Sequence, residues 1–171
     1  MSYTQPEPLD RRHLLEAFDC GKVALDDWLK QYARAAQGSG SARVFITTTD
    51  GKTVVGYYAL AAAQVQPEQA TERIAKGEPA GRPIPVVLLA RLAVDHNHQR
   101  NGIGRSLLQD ALLRSLQAAD SIGIRAMLIH AKHDAARAWY EQFGFESSPT
   151  DSLHLMLLMK DLRAFVQQPT G

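Results

Sequence analysis

Two stretches of this sequence carry residues whose types and spacing could do chemistry. The first is Gln99-Arg100-Asn101-Gly102-Ile103-Gly104-Arg105. Its two glycines lack a Cβ, so a ligand can approach the backbone closely and left-handed φ values are open to the chain. If a helix starts at this turn, its first N–H groups have no internal partner and its dipole adds partial positive charge. That combination suits a phosphate, and Arg100 and Arg105 add formal charge beside it. The second stretch holds Tyr140, within Ala138-Trp139-Tyr140-Glu141-Gln142-Phe143-Gly144-Phe145. A phenol with an unperturbed pKa of about 10 is a proton donor at neutral pH. The same spacing also serves plain packing with Ala136 and Phe143 on one helical face. Glycine pairs occur in many unrelated turns, so the surrounding elements decide between these readings.

Other combinations are weaker. His96-Asn97-His98 and His130-Ala131-Lys132-His133 are short-spaced histidine pairs, but no H-E-x-x-H, paired cysteines or EF-hand spacing accompanies them. No metal is therefore expected. There is no G-x-S-x-G elbow to support a hydrolase. Arg82, Arg91, Arg100 and Arg105 fall in one span opposed only by Asp95, with Arg73 and Lys76 just before it and Lys30 and Arg34 on an earlier segment. Such charge is by default a solvated face. Arg91 differs, because a charge inside so apolar a run requires a partner or a cleft.

The elements that would position these groups follow from periodicity. Val86 to Val94 is a nearly continuous apolar, β-branched run, as in a strand covered on both faces. A polar segment, Asp95 to Arg100, leads into the glycine turn. Ile103, Leu107, Leu108, Ala111, Leu112 and Leu116 then recur at helical spacing. A buried strand thus feeds a glycine turn that opens a helix. Before it, Met1 to Glu7 reads as a loose end, Leu14, Leu15 and Phe18 as a first short helix, and Leu25 to Gln37 as a second. Arg43 to Thr49 and Thr53 to Val65 form a hairpin about Asp50-Gly51. Pro67 to Gly77 suggests a short helix. Ile124 to Ala131 is a further strand, followed by a helix from Asp134 to Phe143 with Gly144 as its cap, and His154 to Met159 closes as a strand. This order predicts an α+β fold with one mixed sheet.

The chain has 171 residues, 45% apolar and 22% charged, with a net charge of +1, values that suit one ordinary globular domain spanning 1–171. A near-balanced charge means that any nucleic-acid surface must come from local clustering. One cysteine, Cys20, excludes an internal disulfide, and no run is long and apolar enough for a membrane span or a signal segment. A cytoplasmic protein without membrane partners is expected.

In this setting Gln99 to Gly104 resembles the Q/R-x-x-G-x-G/A signature of the GNAT acyltransferases, and Tyr140 to Phe145 resembles their Y-E-x-x-G-F pattern. The resemblance covers roughly Glu7 to Lys160. It implies the GNAT fold, a central mixed sheet flanked by helices, and acetyl-CoA as cosubstrate. It also implies a pyrophosphate loop of Gln99, Arg100, Asn101, Gly102, Ile103, Gly104 and Arg105, a pantetheine edge of Leu92, Ala93 and Val94, and Tyr140 as proton donor to the departing thiolate. No general base is evident: His130 and Glu141 fit no required spacing, and an α-amine with a pKa of about 8 is partly free at neutral pH. The run Leu-Ala-Arg-Leu-Ala-Val-Asp at Leu89 to Asp95 is similar to the acetyltransferase toxins of bacterial toxin–antitoxin modules, the TacT-like group. That likeness implies N-acetylation of aminoacyl-tRNA and a block of translation. It also implies a ribbon-helix-helix antitoxin and operator DNA reached only through that antitoxin, while a homodimer stands as one possible assembly. Arg73, Lys76, Arg82 and Arg91 then become candidates for tRNA phosphates. Acetylation of a small amine or protein N-terminus, and a non-catalytic CoA-binding regulator, stand as alternatives.

Overall fold

A computed structural model describes residues 2–167. In chain order the elements are β1 (Glu7–Pro8), α1 (Val23–Gln31), α2 (Ala33–Ser39), β2 (Arg43–Thr48), β3 (Val54–Val65), α3 (Glu72–Ala75), β4 (Ile84–Val94), α4 (Ile103–Ala119), β5 (Ala126–His130), α5 (Asp134–Glu141), β6 (Glu146–Ser147), β7 (His154–Leu158) and α6 (Met159–Gln167). The strands are ordered β1-β2-β3-β4-β5-β7-β6. The sheet is mixed: β4 and β5 run parallel, while β1 with β2, β2 with β3, β5 with β7 and β6 with β7 are antiparallel. The α+β expectation of a mixed sheet flanked by helices holds.

Two compact units can be distinguished, Met1–Ala61 with Ala90–Ala111, and Ala62–Leu89 with Leu112–Gly171. In the first, the β2–β3 hairpin turns at Asp50-Gly51. The Asp50 carboxylate accepts the N–H groups of Lys52 and Thr53 at 2.8 and 2.7 Å, and those donors hold its pKa below the ordinary carboxylate value. The core of this unit gathers Leu15, Phe18, Leu29, Val44, Ile46 and Tyr57. Tyr57 is fully buried, and its hydroxyl donates to the Leu25 carbonyl at 2.7 Å, so the phenol brings no unpaired donor inside.

Local chemistry explains three departures from expectation. Leu14 to Phe18 forms turns, not a helix: Leu15 and Phe18 are buried, while Leu14 bridges Thr53. The second expected helix is divided at Tyr32, where φ −122° and ψ −22° leave helical geometry, into α1 and α2. The N-terminal segment is held to the sheet, with the Thr4 N–H donating to the Thr48 carbonyl at 2.8 Å and the Thr47 hydroxyl donating to the Thr4 carbonyl at 2.6 Å.

In the second unit, Val86 to Leu89 of β4 pair with Ala126 to Ile129 of β5, and β4 itself runs on to Val94. The core here gathers Ile74, Ile84, Val86, Leu128, Met156 and Leu158. α5 ends earlier than expected, at Glu141 with Gln142 as its C-cap, and Gly144 lies in the turn beyond at φ +94°, its N–H donating to the Glu141 carbonyl at 3.0 Å. α6, directly after β7, was not expected from the sequence.

Candidate active site

The glycine turn has the geometry its composition predicted. α4 begins at Ile103, and the first helical bond runs from the Ser106 N–H to the Gly102 carbonyl at 3.0 Å. The amides from Ile103 to Arg105 thus lie in the first turn, where a helix offers donors without internal acceptors. Gly102 has φ +77° and Arg100 has φ +68°. A left-handed arginine costs about 1 kcal/mol, so the surroundings must over-determine the loop.

They do so through residues distant in sequence. Asp95 is buried, and its carboxylate accepts the Asn97 N–H at 2.9 Å and the Asp19 N–H at 3.0 Å, capping the 3-10 turn His96–His98. His96 donates its backbone N–H to the Asp19 carbonyl at 2.8 Å and places its ring Nδ1 at 2.7 Å from the same oxygen. That carbonyl holds the His96 pKa above its ordinary value, aided by the Asp19, Asp95 and Asp26 carboxylates. Gln99 donates through Nε2 to the Val94 carbonyl at 3.0 Å and to Cys20 at 3.4 Å. Asn101 donates through Nδ2 to the Tyr3 hydroxyl and the His98 carbonyl, both at 3.2 Å. The side chains of Gln99 and Asn101 therefore brace the loop, leaving its backbone as the part presented to a ligand. A cleft of about 240 Å³ abuts the same turn, lined among others by Tyr3, Thr47, Asn101, Gly102 and Ser106.

Along β4, Ala93 is buried while Leu92 and Val94 are half-buried, so this strand end is not sealed. Arg91, also half-buried, has the partner its setting required: its guanidinium lies 4.3 Å from the centre of the Trp28 ring on α1. The same indole stacks on Tyr57, with centroids 6.0 Å apart and planes 10° apart. Cys20 is no nucleophile, because burial, with the Asp26 carboxylate acting in the same sense, pushes its thiol up to about 11.

Tyr140 lies on α5 in the second unit, half-buried, edge-on to Trp139 at 4.9 Å and to Phe145 at 5.9 Å. Burial pushes its phenol up to about 12, so it keeps its proton throughout the neutral range. Tyr140 therefore packs with aromatics and retains its proton.

Of the remaining cationic candidates, Arg73, Lys76 and Arg82 are exposed, but Arg73 is engaged in a two-point ion pair with Asp161, one arm measuring 2.8 Å. The main chain around Arg73 and Lys76 is fastened by Arg125, which donates to the carbonyls of Arg73, Ile74 and Lys76. Among the described residues, no group of three metal-ligating side chains comes together, and no helix is long and apolar enough to cross a membrane. Tyr3 and Asp19 are supporting residues that no motif marked. Asp95 closed the Leu89–Asp95 run, but nothing in that run gave it a supporting role.

Residues 40–147 match the family model described as Acetyltransferase (GNAT) domain. The chain is 49% identical over 164 residues to a "tRNA-acetylating toxin" of Mycobacterium tuberculosis, covering 96% of this chain and 97% of the relative. Among solved structures, AtaT complexed with acetyl-methionyl-tRNAfMet superimposes with a TM-score of 0.87 at 26% identity, covering 97% of this chain and all of that one. A mutant AtaT bound to the C-terminus of the antitoxin AtaR and acetyl-CoA gives a TM-score of 0.82 at 26% identity, with 97% and 99% covered.

Proposed function

This chain belongs to the GNAT acetyltransferase family, and on that premise we propose that it is the toxin of a toxin–antitoxin module. It moves the acetyl group of acetyl-CoA to the α-amine of aminoacyl-tRNA and thereby inhibits translation. The observation that carries this reading is the near-full-length likeness to a tRNA-acetylating toxin. The geometry of the glycine turn, of β4 and of Tyr140 supports its acetyl-CoA side.

The amides of Gly102, Ile103, Gly104 and Arg105 at the start of α4 bind the pyrophosphate, with Arg100 and Arg105 supplying charge and Gln99 and Asn101 holding the loop in shape. The β4 backbone at Leu92, Ala93 and Val94 lines the pantetheine. Acetyl-CoA supplies the activated acyl carbon. The amine nitrogen forms the new C–N bond as the C–S bond breaks, Tyr140 gives its phenolic proton to the leaving sulfur, and the amine's surplus proton passes to water, from which the phenolate is reprotonated. An α-amine with a pKa of about 8 supplies enough free base for a dedicated general base to be unnecessary. Arg91, fixed against Trp28, is a positioned cation for the tRNA side of the reaction. Arg73, Lys76 and Arg82 are further phosphate contacts, Arg73 only by giving up Asp161.

On this reading the protein works in the cytoplasm beside a ribbon-helix-helix antitoxin, through which alone it reaches operator DNA. Induced expression of the chain alone should arrest growth. Tyr140→Phe, or co-expression of a small antitoxin encoded alongside, should restore it. Normal growth at high wild-type expression would favour acetylation of a small amine or a protein N-terminus instead.

A further inference from the structure

The histidines at the carboxyl end of β5 have no part in the mechanism above. His130 ends β5, His154 begins β7, and the antiparallel register sets them opposite each other. Their rings stack with centroids 4.1 Å apart and planes 21° apart. His130 is exposed and His154 half-buried. The Asp151 carboxylate lies 3.4 Å from Nε2 of His154. Lys132, exposed, follows two residues after His130, while His133 is turned to accept the Ala136 N–H through Nδ1 at 3.1 Å as the cap of α5.

This is a charge-poor arrangement built from groups that could carry charge. Partial burial, then His154, then Lys132 hold the His130 imidazole below its ordinary pKa, and Asp151 opposes them. Near neutral pH His130 is therefore mainly uncharged in the free protein. An anion seated against its exposed ring would reverse the balance by offsetting the neighbouring cationic groups, so that a proton enters with the anion. Position and chemistry indicate which anion. β5 is parallel to β4, and ligands of open sheets gather outside the carboxyl ends of parallel strands. A solvent-facing imidazole beside a lysine offers both a ring face and donors, which is the combination that single-stranded nucleic acid engages through its bases and phosphates.

We propose that the stacked His130–His154 pair, with Lys132, is a phosphate site for the single-stranded acceptor end of the tRNA, loaded by one proton on binding. The proposal rests on the tRNA reading above.

The test is the affinity of the full chain for uncharged tRNA, by fluorescence anisotropy over a salt series at about pH 6 and about pH 8, on either side of the ordinary histidine range. Wild-type binding should tighten at the lower pH, about tenfold for each unit by which the pKa of the bound state exceeds that of the free one. His130→Gln should lose that gain, matching wild type at the higher pH and falling short only at the lower. There its slope against log[salt] should be shallower by roughly 0.7. His154→Gln removes one of the influences that lower His130 and should move the wild-type midpoint to higher pH. An equal loss in His130→Gln at both pH values, or no loss at either, would overturn the proposal. So would a variant whose acetyl-CoA affinity falls while tRNA binding is untouched, because the anion would then be the cosubstrate's. Absence of any wild-type tRNA binding would remove the substrate reading and this site with it. tRNA binding that ignores both pH and His130 removes this site alone.

Discussion

Tyr140 unites two properties that usually compete. Its ring is packed edge-on between Trp139 and Phe145, and the same burial lifts the phenol to about 12, so the proton that the proposed transfer to a departing thiolate requires stays in place. Tyr140→Phe keeps the ring and removes only the acid. The expected result is a fall in kcat of about a hundredfold to ten-thousandfold, with acetyl-CoA affinity unchanged by calorimetry. The raised pKa also fixes the pH profile. Burial disfavours the phenolate, so the acid form persists to high pH and no descending limb should appear below the tyrosine's own range. The ascending limb belongs to the amine, and kcat/KM should climb through about pH 8 to a plateau. A hydrolysis-resistant, amide-linked aminoacyl-tRNA makes that range accessible. A near-wild-type kcat in Tyr140→Phe would reduce Tyr140 to a packing residue.

The element that matters most is the first turn of α4, and its seat is set by a residue far away in sequence. A Cβ at Gly56 on β3 would meet Ile103 Cγ2, Leu107 Cδ1 and Thr47 Cγ2, each 3.1 Å away. Gly56→Val should therefore push the helix start outward. The expected cost is about 1–3 kcal/mol of stability from overpacking, measured by urea unfolding, with a loss of acetyl-CoA affinity in the fraction that remains folded. Native stability and affinity together would show that α4 is not seated this way.

At this scale the strand, turn and helix around Gly102 were legible because their signals are local: an apolar run, a glycine pair and a helical period. The supports of the turn were not. Tyr3 reaches Asn101 across 98 residues of chain and Asp95 holds Asp19 across 76, and no short pattern encodes such a meeting. Leu14, Leu15 and Phe18 show the opposite error, since apolar spacing over so few residues serves a buried turn as well as a helix. The break at Tyr32 and the continuation of β7 into α6 likewise carry no glycine or proline to mark them.

For the whole molecule, a net charge of +1 means that attraction to a polyanion must be local, and part of the local charge is already engaged: Arg73 with Asp161 and Arg137 with Asp134 and Glu141. On the proposed reading, recognition of tRNA would therefore depend on a few positioned cations and not on a general field. Such contacts still release counterions, so the reaction should be salt-sensitive, with the slope reporting how many phosphates are engaged, roughly 0.7 to 0.9 per contact. A free amino acid presents the same amine without those phosphates. The most direct measurement is acetyl transfer from labelled acetyl-CoA to charged tRNA, uncharged tRNA and free amino acids, across a salt series. The account predicts label on charged tRNA alone, with kcat/KM falling steeply as salt rises. Equal transfer to free amino acids, indifferent to salt, would contradict it.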